Sequence, residues 1–371
     1  MSAPPNPPRR ERLLDLIGAM AGRPVAMLVD LVADRFVTGT PKRISREAPV
    51  MILEYEGEHI TPGGGANAVA NVAALGGRPL PLGIVGDDPS GHDLLAALAE
   101  RGVDLSGIRT RAGYRTPTKV RILAGARHAI KQQVVRYDVE DRLVLSPEDR
   151  AAFAARLAAW RGTWGVPAAD GPASGAAPVA ILSDYGYGTV PPDMVPVLRD
   201  ALGAGACLLC DSRYRLSEMD GCDGATPNEE EAEALFGGAL DSRAGGLAAA
   251  GETLRRRLAT RFLLVTRGSR GMSLFTPGGA AHLPVHGTAQ VADVTGAGDT
   301  VIGTFALALA AGATPLEATA LADYAGGVVV TKMGTATVSP EELTRAVETD
   351  PAPLEELTLE AAPREVAWES S

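Results

Sequence analysis

Three cysteines in 371 residues, Cys207, Cys210 and Cys222, are too few and odd in number for a disulfide framework. Cys207-Leu-Leu-Cys210 spells C-x-x-C, but it sits in the apolar run Ala206–Cys210, which reads as a buried strand. No second pair completes a zinc site, so packing is its expected role. Positive charge is also short: 35 Lys and Arg against 45 Asp and Glu leave a formal net charge of -10. That argues against nucleic acid and membrane surfaces, which need a basic footprint. Long apolar runs are missing too. The longest, Thr300–Ala313, is too short to cross a bilayer and suits a buried helix. Met1–Leu14 has the arginines of a signal peptide but charge and proline where the apolar core belongs, and reads as a loose tail. These absences point to a cytoplasmic protein acting on small molecules.

Several catalytic signatures are lacking. No G-x-x-x-x-G-K-[ST] occurs, which excludes a P-loop kinase, and the eukaryotic-type kinase signatures are missing. The histidines, His59, His92, His128, His282 and His286, form no H-E-x-x-H, and Leu-Pro-Val between the last two prevents helical presentation to a shared metal.

What is present is an apolar fraction of 46%, enough for the core of one large α/β domain or two small ones. From Val25 to Lys332, aliphatic runs alternate with Ala- and Leu-rich helical stretches, the pattern of βαβ units around a mostly parallel sheet. Val25–Val32, Leu80–Val85, Val179–Ser183, Ala206–Asp211 and Phe262–Thr266 read as strands. Ala66–Leu75, Gly91–Arg101 and Asn228–Phe236 read as helices. Arg35–Ile60 and Thr116–Val139 break the rhythm with alternating β-formers and charges: either a small separate sheet flapping over a site, or an edge hairpin of the main sheet. Gly162–Pro178 reads as a flexible insertion, and the acidic, proline-spaced segment after Thr349 as a partly disordered tail.

Two glycine clusters carry the chemistry. In Asp293-Val-Thr-Gly-Ala-Gly-Asp299, Gly296 and Gly298 flank Ala297, so the backbone can turn and converge its N–H groups on an anion at a helix N-terminus. Asp299 beside that anion is an odd carboxylate unless it takes a hydroxyl proton next to a transferring phosphoryl group; capping the helix is the plainer alternative. In Pro62-Gly-Gly-Gly-Ala-Asn67, the glycines let a ligand approach main chain and Asn67 offers donor and acceptor to sugar hydroxyls; a simple helix-starting turn is the alternative. The same run superficially fits a dinucleotide fingerprint, without the preceding buried strand or partnered acid.

Together, GGGAN and DVTGAGDT resemble the two signatures of the ribokinase-like, PfkB-type carbohydrate kinases, over Val25 to about Thr344. The resemblance implies an α/β three-layer fold with a β-sheet lid from 35–60 and 116–139, within a kinase domain of 25–348. The flanks are residues 1–24, a tail or leading helix, and the acidic tail 349–371. It makes Asp299 the catalytic base and Gly296, Ala297 and Gly298 the anion hole. Asn228 and Glu231 match an N-x-x-E that organises Mg²⁺ through water; Thr266, Gly268 and Gly271 match the ATP loop; Asp323 stands where asparagine usually lies near adenine. Asp34, Gly64 and Asn67 fall on sugar contacts. Asp293 and Thr295 match a K⁺ site, for which Lys332 could substitute its own charge, and lids of this kind pair into homodimers.

A narrower resemblance is to the heptose 7-phosphate kinases, in Arg43–Val50, Pro117–Arg121, Arg136–Glu140, Ser183–Tyr185, Thr226–Glu229 and Gly334–Ser339. It implies ATP-dependent phosphorylation of D-glycero-β-D-manno-heptose 7-phosphate to the 1,7-bisphosphate, with Arg43, Lys119, Arg121 and Arg136 near the sugar's phosphate. Some members of that branch carry a fused nucleotidyltransferase with H-x-G-H; this sequence has none, so the kinase half is expected. Three features depart from it: Val29 where Gly is usual, Tyr187 in place of lysine, and Asp211-Ser212-Arg213 for Asp-Pro-Lys. The competing readings are a kinase of another sugar, a sugar-binding regulator without catalysis, and a dinucleotide-dependent oxidoreductase.

Overall fold

The computed structural model describes residues 7–126, 131–162, 177–240, 246–287 and 291–361. The first strand, β1 (Pro24–Val29), is a continuous apolar run buried from Val25 onward, as a parallel strand covered on both faces must be. It does not reach Val32 as one element. Asp30 breaks the pairing, and the chain leaves the main sheet as β2 (Leu31–Ile44), returning antiparallel as β3 (Met51–Gly64). After the helix Gly65–Ala74 come β4 (Arg78–Gly86) and β5 (Ile108–Arg111), then β6 (Thr118–Ala124) and β7 (Gln132–Val139). The second half supplies β8 (Val179–Asp184), β9 (Cys207–Ser212), β10 (Gly224–Ala225), β11 (Phe262–Thr266), β12 (Met272–Thr276), β13 (Gly279–Leu283) and β14 (Thr358–Ala361).

Among the described residues, ten strands form the main sheet in the order β14-β13-β12-β11-β10-β9-β8-β1-β4-β5, parallel from β11 to β5, with β12, β13 and β14 antiparallel at one edge. Apolar clusters lie on its two faces, one against helices such as Ala297–Ala310 and Pro315–Val329, the other against Pro147–Arg161 and Met194–Leu202. This is the three-layer α/β architecture. The four strands β3-β2-β6-β7 form a second sheet, so the two rhythm-breaking stretches are a separate lid and not an edge hairpin. β6 joins β2 in parallel, which makes the lid a mixed sheet.

Strand order reverses at β1: from there the chain builds outward through β4 on one side and through β8 on the other. Such a switch point opens a crevice beyond the carboxyl ends of the strands, where open α/β sheets bind ligands. Asp30 ends β1 and Asp184 ends β8 at that crevice.

Two terminal segments carry order that the sequence left open. Of the tail or leading helix expected over residues 1–24, the described part holds the helix Arg10–Ala19, which buries Leu13, Leu16 and Ile17 in the core. Past Thr349, the helix Ala352–Glu355 and the edge strand β14 are built against the domain, with β14 paired to β13. Propensity alone misses both, since a short amphipathic segment becomes ordered only through the surface it covers. Cys210 pairs with Cys222 as a disulfide, whereas packing was expected; Cys207 is the free thiol. Most of Gly162–Pro178, and His128, lie outside the described residues. Among the described residues no helix is long and apolar enough to cross a membrane.

Candidate active site

Asp299 lies in the first turn of the helix Ala297–Ala310, whose N-cap Gly296 takes a left-handed φ of 79°. A Cβ at Gly296 would collide with the Asn67 amide, so glycine is required there on two counts. Gly298 is different: a Cβ would meet nothing within 4 Å, which leaves the main chain bare to the space in front. That bare turn, whose N–H groups have no helical acceptor, fits an anion.

The Asp299 carboxylate is 3% exposed. Tyr185 Oη donates to its Oδ1 at 2.8 Å, and Asn67 Nδ2 donates to its Oδ2 at 3.1 Å and to the Gly296 carbonyl at 3.2 Å. Asn71 Nδ2 in turn donates to Asn67 Oδ1 at 3.2 Å, fixing which face of the Asn67 amide points at Asp299. Burial pushes the Asp299 carboxyl up to about 7, while these two hydrogen bonds and the Lys119 charge hold it down. A carboxylate with a proton affinity near neutrality suits a general base.

Tyr185 is the residue the motifs did not single out for a role. Its backbone N–H and those of Tyr187 and Thr189 all donate to the buried Asp30 carboxylate, at 2.9, 3.0 and 2.9 Å. The only sequence signal was its place in Ser183-Asp-Tyr185, at the end of a buried strand.

From the lid side, β2 and β6 deliver Asp34 and Lys119 as register partners. Asp34 is buried, and a Cβ at Gly63 would meet its Cγ at 2.6 Å, so the glycine run exists partly to admit this carboxylate. Gly64 likewise makes room for Val32 and the Tyr185 ring. Lys119 Nζ stands over that ring, 5.1 Å from its centroid, and burial lowers its pKa. Arg121 is closed on Asp34, and Arg136 on Asp138 through a two-pronged contact at 2.8 and 2.6 Å. Arg43 lies on an exposed stretch of β2. Tyr187 Oη reaches Glu140 at 3.5 Å, and burial pushes this phenol up to about 12.

A polar cleft of about 840 Å³ runs from Lys119 and Tyr185 past Gly296 and Gly298 to Asn228 and Glu231. Asn228 and Glu231 form a reciprocal capping box, each side chain accepting the other's backbone N–H at 2.9 Å. Burial raises the Glu231 pKa, and burial followed by the charge of Glu231 raises that of Asp211 well above the carboxylate range. Two such carboxyls facing one cleft fit a divalent cation, which would relieve both. Among the described residues no group of three or more His, Cys, Asp or Glu side chains could hold a metal. Such an ion would therefore rely on ligand phosphates and water.

Beyond Gly298 lies a second, mostly apolar cavity of about 450 Å³, lined by Thr266, Gly268, Gly271, Val301, Asp323 and Gly327 among others. A Cβ at Gly327 would strike the His286 main chain, so glycine there lets the two walls pack closely, and the mostly apolar lining fits an aromatic base. Asp323 accepts the His286 N–H at 3.1 Å, and burial pushes it up to about 8. Asp293 ties its loop to another: Thr295 N–H donates to Oδ1 at 2.9 Å and Gly334 N–H to Oδ2 at 3.1 Å. Lys332 is committed elsewhere, to the Thr337 carbonyl and Glu342, both at 2.7 Å.

The family model of the pfkB family carbohydrate kinases matches residues 27–342. The bifunctional protein HldE of Mesorhizobium japonicum is 38% identical over 347 residues, covering 92% of this chain and 65% of that protein. HldE of Azotobacter vinelandii is 40% identical over 88% of this chain and 64% of its own length. The chain thus spans somewhat less than two thirds of these relatives. In fold it is similar to Arabidopsis thaliana ribokinase complexed with ribose and ATP, with a TM-score of 0.66 at 21% identity over 89% of this chain and 100% of that one. It is similar also to Escherichia coli phosphofructokinase-2 in complex with potassium, with a TM-score of 0.68 at 18% identity over 88% and 98%. With the glycine turn, the paired clefts and the lid all present, the chain belongs to the pfkB family of carbohydrate kinases.

Proposed function

We propose that the chain transfers the γ-phosphoryl group of ATP to the anomeric hydroxyl of D-glycero-β-D-manno-heptose 7-phosphate, giving the 1,7-bisphosphate. One observation carries the chemistry: a buried carboxylate, Asp299, held by two hydrogen bonds beside a bare helix N-terminus where the two cavities meet. ATP lies with its base in the apolar slot and its phosphates along the polar cleft. The Gly296–Gly298 turn stabilises charge on the moving phosphoryl, and Asp299 takes the hydroxyl proton as the oxygen attacks. Mg²⁺ supplies neutralisation of phosphate charge when bound, with Glu231 and Asp211 as the carboxylates that would hold it through water. Asp34 orients the sugar, while Asn67, expected as a sugar contact, has both N–H groups committed to Asp299 and the Gly296 carbonyl and positions the base instead.

The choice of heptose rests on the HldE relatives and on cations at the lid. Lys119 has no carboxylate within ion-pair distance among the described residues, which leaves it for a substrate anion. ADP release from a sugar panel tests this. At least 10²-fold preference in kcat/KM for the 7-phosphorylated heptose over free sugars is expected, from two charge-assisted contacts at about 1.4 kcal/mol per factor of ten. Equal turnover of ribose or fructose would sink the heptose assignment and leave the kinase; no ADP with any sugar would favour a non-catalytic regulator.

K⁺ at the loops joined by Asp293, with Thr295, would stiffen the anion hole. Equal rates in K⁺ and a bulky organic cation would count against it. Homodimerisation through the lid is supported by its exposed apolar side chains, Met51, Tyr55, Val135 and Tyr137; sedimentation measures it.

A further inference from the structure

Tyr185 stands between the polar cleft, which it lines, and the Asp299 carboxylate behind it. Its position is over-determined. Asp30 holds the main chain of the 185–189 turn through three N–H groups, Gly64 leaves space for the ring, and Lys119 packs over the ring face. A buried carboxylate spent on three backbone contacts costs desolvation, so the turn it fixes has to matter. Among the described residues, the one polar contact of the Tyr185 side chain is with Asp299.

We propose that Tyr185 is a positioning residue for phosphoryl transfer, its phenol donating to Oδ1 of Asp299 to hold the carboxylate in one orientation and favour its ionised form. The inference rests on Asp299 being the base. Asn67 alone cannot do this, because its single N–H contact leaves the carboxylate free to pivot about Oδ2. The other groups that act on Asp299 are the charges of Lys119 from β6, Asp34 from β2 and Asp211 from β9; a phenol adds the hydrogen bond these lack. Burial keeps the Tyr185 proton on its own oxygen, so it remains a donor throughout.

The experiment is the pH profile of kcat for the full chain, with ATP and its best sugar. Tyr185→Phe is expected to lower kcat about tenfold at neutral pH and to move the acid limb up by about one pH unit, the size of one charge-assisted hydrogen bond after partial compensation, with the KM for ATP unchanged. Tyr185→3,5-difluorotyrosine, a stronger donor of nearly the same shape, is expected to move the limb down; it decides the matter if the phenylalanine variant does not fold. Acid limbs unmoved in the folded variants would overturn the proposal. Asp299→Asn run alongside separates the two claims: near-normal turnover there defeats the base assignment, whereas loss of turnover with unmoved limbs at position 185 defeats Tyr185 alone.

Discussion

The guanidinium of Arg121 closes on Asp34, Nη1 to Oδ1 2.6 Å, with the two side chains only 9% and 2% exposed. The pair joins β6 to β2 across the lid, and Arg121 also stacks over Phe36, 5.3 Å from its ring. An arginine so engaged is already paired within the lid, and under the proposed function it would orient Asp34 for a sugar hydroxyl instead of meeting a phosphate. Arg121→Met strands a buried carboxylate and is expected to cost about 3–5 kcal/mol of stability. It should raise the sugar KM more than the ATP KM; thermal melts and steady-state kinetics check both.

Substrate-phosphate recognition should fall unevenly on the lid cations. Arg136 already grips Asp138, whereas half-buried Lys119 has no carboxylate partner among the described residues. Lys119→Ala is therefore expected to shrink the preference for a phosphorylated sugar by tenfold or more, and Arg136→Ala by less. The two specificity ratios, measured side by side, would reject this ranking if they came out reversed.

Asp299→Asn should reduce turnover by about 10²–10⁴, the range for a lost general base, with nucleotide affinity little changed. Stability gives a second handle. The folded pKa of Asp299, about 7, lies above its ordinary 3.8, so the native state binds the extra proton and the wild type loses stability as pH rises between those values. The mutant does not titrate. Its stability relative to wild type should climb from pH 4 to pH 8 by about 4 kcal/mol, at 1.36 kcal/mol per unit. A flat difference in denaturant melts would contradict the raised value.

Gly296→Ala places a methyl group against the Asn67 amide on a backbone that side chains rarely adopt. The strain, about 1–2 kcal/mol, is secondary to displacement of the contact that holds Asp299. A drop in kcat of at least 10-fold is expected in a protein that still melts cooperatively.

Asp323, among the described residues the only acid lining the apolar slot, has its carboxyl pushed up to about 8 by burial. Raising the pH through 8 puts a charge in the wall of the slot that receives the base, so the ATP KM should rise there. Asp323→Asn should flatten that rise, as kinetics from pH 7 to 9 would show.

Much of the fold was legible in the sequence, because parallel strands buried on both faces must be continuous apolar runs: Phe262–Thr266 was read to the residue, and Val179–Ser183 to within one. The glycine turn before Asp299 was legible for the same kind of reason, since a left-handed φ at Gly296 leaves few choices of side chain. The edge strands β12, β13 and β14 were not, for their order depends on antiparallel pairing with distant chain. Nor was Tyr185. A tyrosine after a buried strand looks the same whether its phenol meets solvent or a carboxylate 114 residues away. Which one it meets is decided only when β1 and β8 lie side by side and Asp30 gathers the turn between them and the base.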